Sequence, residues 1–289
     1  MDIALSQPAE WSRRSGDIAS RPIDGRRLVF IGGLHRSGTS IIHRCLGDHP
    51  CVSGFHDTGV YEDEGQHLQS VYPPASAFGG PGRFGFHPQS FLDENSPLAT
   101  AESARRLVAD WARHWDAGRK LLVEKSPPNL VRTRFLQALF PGCRFIIVVR
   151  HPIAVAYATQ KWTACLPQRW FPEKLRPRLP RAGVRSLVEH WLICHERFAE
   201  DRPKLRNVHV LRYEDFVARP EHHLNSLYAF LGLPGERLKR EVRGGVNDRY
   251  WARWQRRRRN ILTRSYADGL VRGLEERVHR FGYSLVQET

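Results

Sequence analysis

Leu28-Val29-Phe30-Ile31-Gly32-Gly33-Leu34-His35-Arg36-Ser37-Gly38-Thr39-Ser40 is the stretch on which the fold turns. An apolar run from Leu28 to Gly32 gives way to a glycine-bounded turn and then to residues that suit the start of a helix. In that context a loop can wrap an anion, because N–H groups at a helix N-terminus lack intrahelical partners and point outward. Gly33 and Gly38 let the backbone approach a phosphate closely. The spacing Gly33-x-x-x-x-Gly38-Thr39-Ser40 is that of a nucleotide phosphate loop, G-x-x-x-x-G-K-[ST], with Thr39 standing where lysine is expected. The positive charge lies inside the loop instead, at Arg36.

Working outward, three more apolar runs follow: Leu121 to Val123, Phe145 to Val149, and Val208 to Leu211. Helix-like segments begin after the four runs, near Thr39, Asn129, Pro152 and Asp215. Phe145-Ile146-Ile147-Val148-Val149 reads as a strand buried on both faces. The pattern predicts an α/β fold of P-loop-like, three-layer form, a central parallel sheet flanked by helices, in a single domain with long loop insertions. Residues 1–25 read as a flexible tail and 26–289 as the domain, with a core over about 28–233 and a basic, helical segment over 234–289. A further helix is expected from Glu102 to Trp115, with Leu107, Val108, Trp111 and Trp115 on its core face. Tyr72 to Pro97 and Trp162 to Gly183 resist regular structure and have the length of either functional lids or disordered loops.

The strand ending at Val149 runs into Arg150-His151-Pro152, where a nucleotide hydrolase would carry a magnesium-binding aspartate. A cation there repels a metal and attracts a phosphate. With no loop lysine either, a kinase or NTPase is disfavoured. The net charge of +15 implies anionic partners, and its densest run is Arg256-Arg257-Arg258-Arg259. A nucleic-acid-binding module shares that charge but lacks a reader motif and leaves the glycine loop unexplained. The five cysteines include no C-x-x-C pair, and the 14 histidines no H-E-x-x-H, so no metal site is expected. No run has the length of a membrane span, and the polar N-terminus shows no secretory signal, which makes the cytoplasm the expected location.

These elements together resemble the sulfotransferases that use 3′-phosphoadenosine 5′-phosphosulfate (PAPS), in particular the bacterial and tyrosylprotein-type branch. Arg36-Ser37-Gly38-Thr39-Ser40 is similar to the family's 5′-phosphosulfate loop, [KR]-S-G-T-[ST]. Phe145 to Pro152 resembles the strand and helix whose arginine binds the 3′-phosphate. Leu211-Arg212-Tyr213-Glu214-Asp215 resembles a third element, and Glu124-Lys125-Ser126-Pro127 the E-K-[ST]-P segment. The resemblance spans about Leu28 to Leu233. It implies that His35, Arg36, Ser37, Gly38, Thr39 and Ser40 hold the 5′ end of the donor, that Arg150 holds the 3′-phosphate, and that Tyr213 lies near the adenosine. Ala158 stands where members commonly carry a serine for the 3′-phosphate, with Thr159 as the candidate substitute, and Ile41 replaces an adenine-stacking tryptophan.

Sulfonyl transfer requires donors on the leaving phosphate, a positive pocket and a base for the acceptor hydroxyl or amine. Arg36 suits the first role, and the resemblance implies that Lys125 reaches the transferred group. For the base, Glu64 and His56 rank level. Counting from His49-Pro50 by the tyrosylprotein pattern lands on His56, while a carboxylate at Glu64 sits cheaply in so positive a pocket. The acceptor, a small molecule, glycan or peptide, is expected against Phe78, Phe84, Phe86 and Phe91. The Arg256–Arg259 run either closes over the 3′-phosphate or forms a surface patch.

Overall fold

The computed structural model describes residues 23–163 and 182–287. The expected tail up to residue 22, most of the Trp162–Gly183 stretch and Cys165 lie outside the described residues. In chain order the described elements are β1 (Leu28–Gly33), α1 (Thr39–Gly47), β2 (Val52–Gly54), α2 (Ala101–Ala112), β3 (Leu121–Lys125), α3 (Thr133–Leu139), β4 (Arg144–Val149), α4 (Pro152–Gln160) and α5 (Val184–Asp201). There follow β5 (Val208–Arg212), α6 (Tyr213–Ala218), α7 (Pro220–Leu231), α8 (Asp248–Arg259) and α9 (Ile261–His279).

The strands form one parallel sheet in the order β2-β3-β1-β4-β5. Alternation along the strands feeds two cores. Leu28, Phe30, Phe145 and Ile147 face Trp111, Trp115 and Trp191, while Val29, Ile31, Ile146 and Val148 face α1 and α7. All eight strand residues are fully buried, each contributing roughly 1.5–3 kcal/mol. The expected α/β class follows directly from this two-sided burial. Among the described residues no helix is long and apolar enough to cross a membrane.

Three elements depart from the sequence expectation. The helix expected to reach Trp115 stops at Ala112, and Trp115 is carried on the following turn. The helix expected from Asn129 begins at Thr133, after a 3-10 turn over Pro127–Val131, because adjacent prolines lack N–H groups and restrict the residue before them. Tyr72 to Pro97 packs as 3-10 turns, with Tyr72 and Phe84 buried. Buried Arg132 pins that segment: its Nη2 donates to the Pro73 carbonyl at 3.0 Å, and its guanidinium lies over the Tyr72 ring at 4.7 Å.

The chain leaves central β1 toward β2 and β3 and later returns to its other side at β4. That reversal opens a crevice at the carboxyl ends of the strands, where open α/β sheets place their ligands. Residues 33–40, Lys125 and Arg150 all lie at that edge.

Candidate functional site

The glycine loop turns through a Ser37 N–H donating to the Leu34 carbonyl at 3.0 Å. Arg36 has φ 70° and Gly38 φ 102°. Left-handed backbone costs a non-glycine residue ~1–2 kcal/mol. At Arg36 that cost is offset by Arg150, whose Nη1 donates to the Arg36 carbonyl at 2.7 Å. At Gly38 only glycine fits, since a Cβ would lie 2.4 Å from Cδ2 of Tyr213. Gly38 is the N-cap of α1 and brings no side chain to its N–H groups, which leaves the first turn of the helix for an anion. Ser37 and Thr39 are buried, Ser40 is half-buried and Arg36 is exposed. Among the described residues the Ser37 Oγ has no hydrogen-bond partner, an arrangement that costs free energy until a ligand oxygen supplies one.

Behind the loop, buried Arg150 makes three further contacts. Its Nε and Nη2 donate to the Asn247 Oδ1 at 2.9 and 2.6 Å, and its guanidinium lies 4.3 Å from the Tyr213 ring centroid. Asn247 in turn donates to Glu214 at 2.7 Å, and Glu214 accepts from the His151 N–H and the Tyr283 hydroxyl, each at 2.9 Å. His151, the N-cap of α4, accepts from the Ile153 N–H through its ring Nδ1. The Trp191 indole fixes the Arg150 carbonyl at 2.9 Å. Arg150 is thus held in a preset orientation, its Nε–Nη2 edge committed to Asn247, with the second N–H of Nη1 and of Nη2 beyond these bonds to meet an anion.

On the other side of β1, Lys125 is completely buried. Its Nζ donates to the Glu62 carbonyl at 2.6 Å and to Glu64 Oε1 at 3.5 Å. Glu62 and Asp63 both take left-handed φ, 53° and 50°. The turn is held by the Thr58 N–H and hydroxyl, which donate to Asp63 Oδ1 at 2.9 and 2.7 Å. That strained turn directs Glu64 inward, where it also accepts from Gln66 Nε2 and lies 3.9 Å from His35 Nε2 and 3.8 Å from His67 Nε2. Burial pushes the Glu64 carboxyl above its ordinary value, opposed by the nearby Lys125 charge. Burial likewise pushes Lys125 down, opposed by Glu64. Burial, with Lys125 behind it, holds His35 down to about 3, so its ring is neutral at pH 7. Glu124 is a separate structural group: Ser126 Oγ and Asn129 Nδ2 donate to it, each at 2.5 Å, and burial raises it to about 7.

His56 is placed elsewhere. Its side chain is 75% exposed, 3.5 Å from Asp57, in a surface cleft with His43, Arg44 and Arg119. Of the two base candidates, only Glu64 is gathered with Lys125 and His35. Ala158 lines a basic cleft of 550 Å³ with Lys161, Arg249, Tyr250 and Arg253. Thr159 is buried on another side of α4, with its methyl toward Gly82, and is not part of the cleft wall.

The model of the Sulfotransferase family matches residues 29–237, a span that holds the loop, Glu64, Lys125, Arg150 and Tyr213. The chain belongs to the sulfotransferase family. It is 25% identical over 233 residues to the nodulation protein NoeE of Sinorhizobium fredii, covering 75% of this chain and 52% of that protein. It is 24% identical over 213 residues to protein-tyrosine sulfotransferase 2 of Gallus gallus, covering 71% of this chain and 51% of that protein. The chain therefore spans about half the length, or less, of the curated relatives it matches. A solved sulfotransferase from Alicyclobacillus acidocaldarius aligns with a TM-score of 0.46 at 19% identity, covering 87% of this chain and 95% of that one.

Asn247 lies past the matched family span, and sequence reasoning missed it. The available signal was Gly244-Gly245-Val246-Asn247-Asp248, a turn composition placed directly before a helix. Glu214 lies in the Leu211–Asp215 motif, where its sequence neighbours give no sign that it accepts from Asn247, His151 and Tyr283. Gln66, which orients Glu64, left no readable trace.

Proposed function

We propose that this sulfotransferase-family chain moves a sulfonyl group from PAPS to a hydroxyl or amine of an acceptor, by in-line displacement without a metal. The observation that carries the reading is the buried Lys125–Glu64 pair, next to a loop whose helix N-terminus is left for an anion. PAPS supplies the activated sulfonyl group. The orphaned Ser37 Oγ and the backbone of residues 36–40 suit its 5′ end. Arg150 suits the 3′-phosphate, with Tyr213 beside the adenosine and the Ala158 cleft open alongside. Ala158 supplies no hydroxyl there, and Thr159 is buried on another side of α4. Glu64 accepts the acceptor proton as the new O–S or N–S bond forms. Lys125 and Arg36 stabilise charge on the sulfonyl group and on the departing 3′,5′-bisphosphoadenosine. A base is more effective with its pKa raised toward the working pH, the direction in which burial moves Glu64.

The Phe78–Phe91 segment supplies the acceptor wall in this reading. Phe84 meets the His35 ring edge-on at 5.8 Å, and Phe86 is 41% exposed beyond it. A cytoplasmic location accords with the free thiols Cys45, Cys51, Cys143 and Cys194.

Calorimetric titration of 3′,5′-bisphosphoadenosine in EDTA tests the proposal. Binding is expected without metal, and Arg150→Ala should weaken it about a hundredfold or more, the usual cost of losing a charge-assisted fork. Absence of binding would remove the reading.

A further inference from the structure

The proposed reaction leaves unused the corner where α8 meets α9. Here Ile261 and Leu262, consecutive large aliphatic residues, are each 89% exposed. The corner is a built feature. Asn260 caps α9 by accepting from the Leu262 N–H at 2.9 Å, and the Thr263 hydroxyl donates to the Arg257 carbonyl at 2.7 Å. Buried Trp254 anchors α8 through its indole N–H to the Leu285 carbonyl at 2.8 Å, while Ala267, Leu270 and Leu274 seat α9 in the core. The two aliphatic side chains are therefore held outward on a rigid support.

Around them the charge is mostly positive: residues 256–264 hold five arginines and no acidic residue, with Asp268 one turn further along α9. Arg256, Arg259 and Arg264 are exposed, Arg264 pairing at 3.4 Å with Asp268. Tyr266 is 42% exposed, with the Arg257 guanidinium 5.1 Å from its ring centroid. An aliphatic tip, an amphipathic tyrosine behind it and an arginine ring form the arrangement of a surface that enters the headgroup layer of an anionic bilayer. A specific protein contact needs on the order of 1,000 Å² of buried surface, far more than two side chains supply. Nucleic acid would meet the arginines but gain nothing from isoleucine and leucine.

We propose that this corner docks the protein on an anionic membrane surface, with Ile261 and Leu262 at the headgroup–acyl boundary and the arginines on lipid phosphates. The proposal stands apart from the sulfonyl-transfer reading. Its test is co-sedimentation of the full chain with phosphatidylcholine vesicles, with and without phosphatidylserine at about 30 mol%. Binding is expected to need the anionic lipid and to fall as salt rises. Ile261→Ser/Leu262→Ser should cut partitioning about tenfold or more, with the melting temperature and bisphosphoadenosine affinity unchanged. Arg256→Ala/Arg259→Ala should flatten the dependence on phosphatidylserine. No association with anionic vesicles, or association unaltered by the aliphatic double substitution, would overturn the proposal. So would concentration-dependent self-association abolished by that same substitution, because it would assign the corner to a second copy of the chain.

Discussion

Replacing Gly38 by alanine tests whether the phosphate loop and the Tyr213 ring are one packed unit. The new methyl would lie 2.4 Å from Cδ2 and 2.7 Å from Cε2 of Tyr213, on a residue with φ 102°. The backbone contribution is ~1–2 kcal/mol for an L-residue in left-handed conformation, and the overpacking contribution ~1–3 kcal/mol. Gly38→Ala should thus destabilise by about 2–5 kcal/mol. It should also weaken bisphosphoadenosine binding, since the displaced ring is the one lying 4.3 Å from Arg150. Combining it with Tyr213→Ala separates the two contributions. The ring is then gone, so the double variant should be more stable than the sum of the single effects by the overpacking share, ~1–3 kcal/mol. The backbone share should persist. Urea unfolding of the four proteins, with slopes compared, measures this, and calorimetry measures the binding. Additivity within ~0.5 kcal/mol, or wild-type stability of Gly38→Ala, would refute the reasoning.

Three further outcomes are expected. Glu64→Gln should lower kcat by a factor of ~10²–10⁴, whereas His56→Ala should change it less than about twofold, as for an exposed residue away from the chemistry; the reverse order would make His56 the base. In the wild type the acid limb of kcat/KM should lie above the ordinary carboxylate range, because Glu64 is raised, and Glu64→Gln should abolish that limb. Stability should fall on acidification: His35, His43 and His190 are held down to about 3 and His195 to about 4 by burial. Their lowered values mean the unfolded chain takes up protons first, so their contribution is whole above pH 6.5 and is lost as the pH falls toward 3. Glu124, raised to about 7, works in the opposite sense over pH 7 to 4.5. Among the described residues the buried rings held down outnumber the carboxyls pushed up, so the net direction is a loss of stability below about pH 6, and circular dichroism should show unfolding advance as the pH falls. A flat profile from pH 7 to 4 would contradict the buried, neutral histidines.

Much of this architecture was legible because its signals are local. β1 and the Phe145–Val149 part of β4 are buried on both faces, so their residues are apolar without interruption, and Pro152 marks the start of α4. β2 went unread because a three-residue edge strand such as Val52–Gly54 has no measurable period. The glycine loop is contiguous and carries its chemistry in order. The choice between the base candidates was not legible. Glu64 and His56 are both plausible by type, and what separates them is a turn with left-handed φ at Asp57, Glu62 and Asp63. None of the three is glycine, so sequence offers no warning that the chain turns Glu64 inward and leaves His56 in solvent. Asn247 meets Arg150 from 97 positions away, a distance over which only the folded chain brings them together.

Arg150 grips Arg36 through its carbonyl oxygen, a group that every amino acid carries. Anchorage of the loop and the side chain of residue 36 are therefore physically separate. Arg36 is exposed while the backbone beneath it is tethered, so a substitution there that tolerates the left-handed turn changes the charge and reach of the loop without releasing it from Arg150.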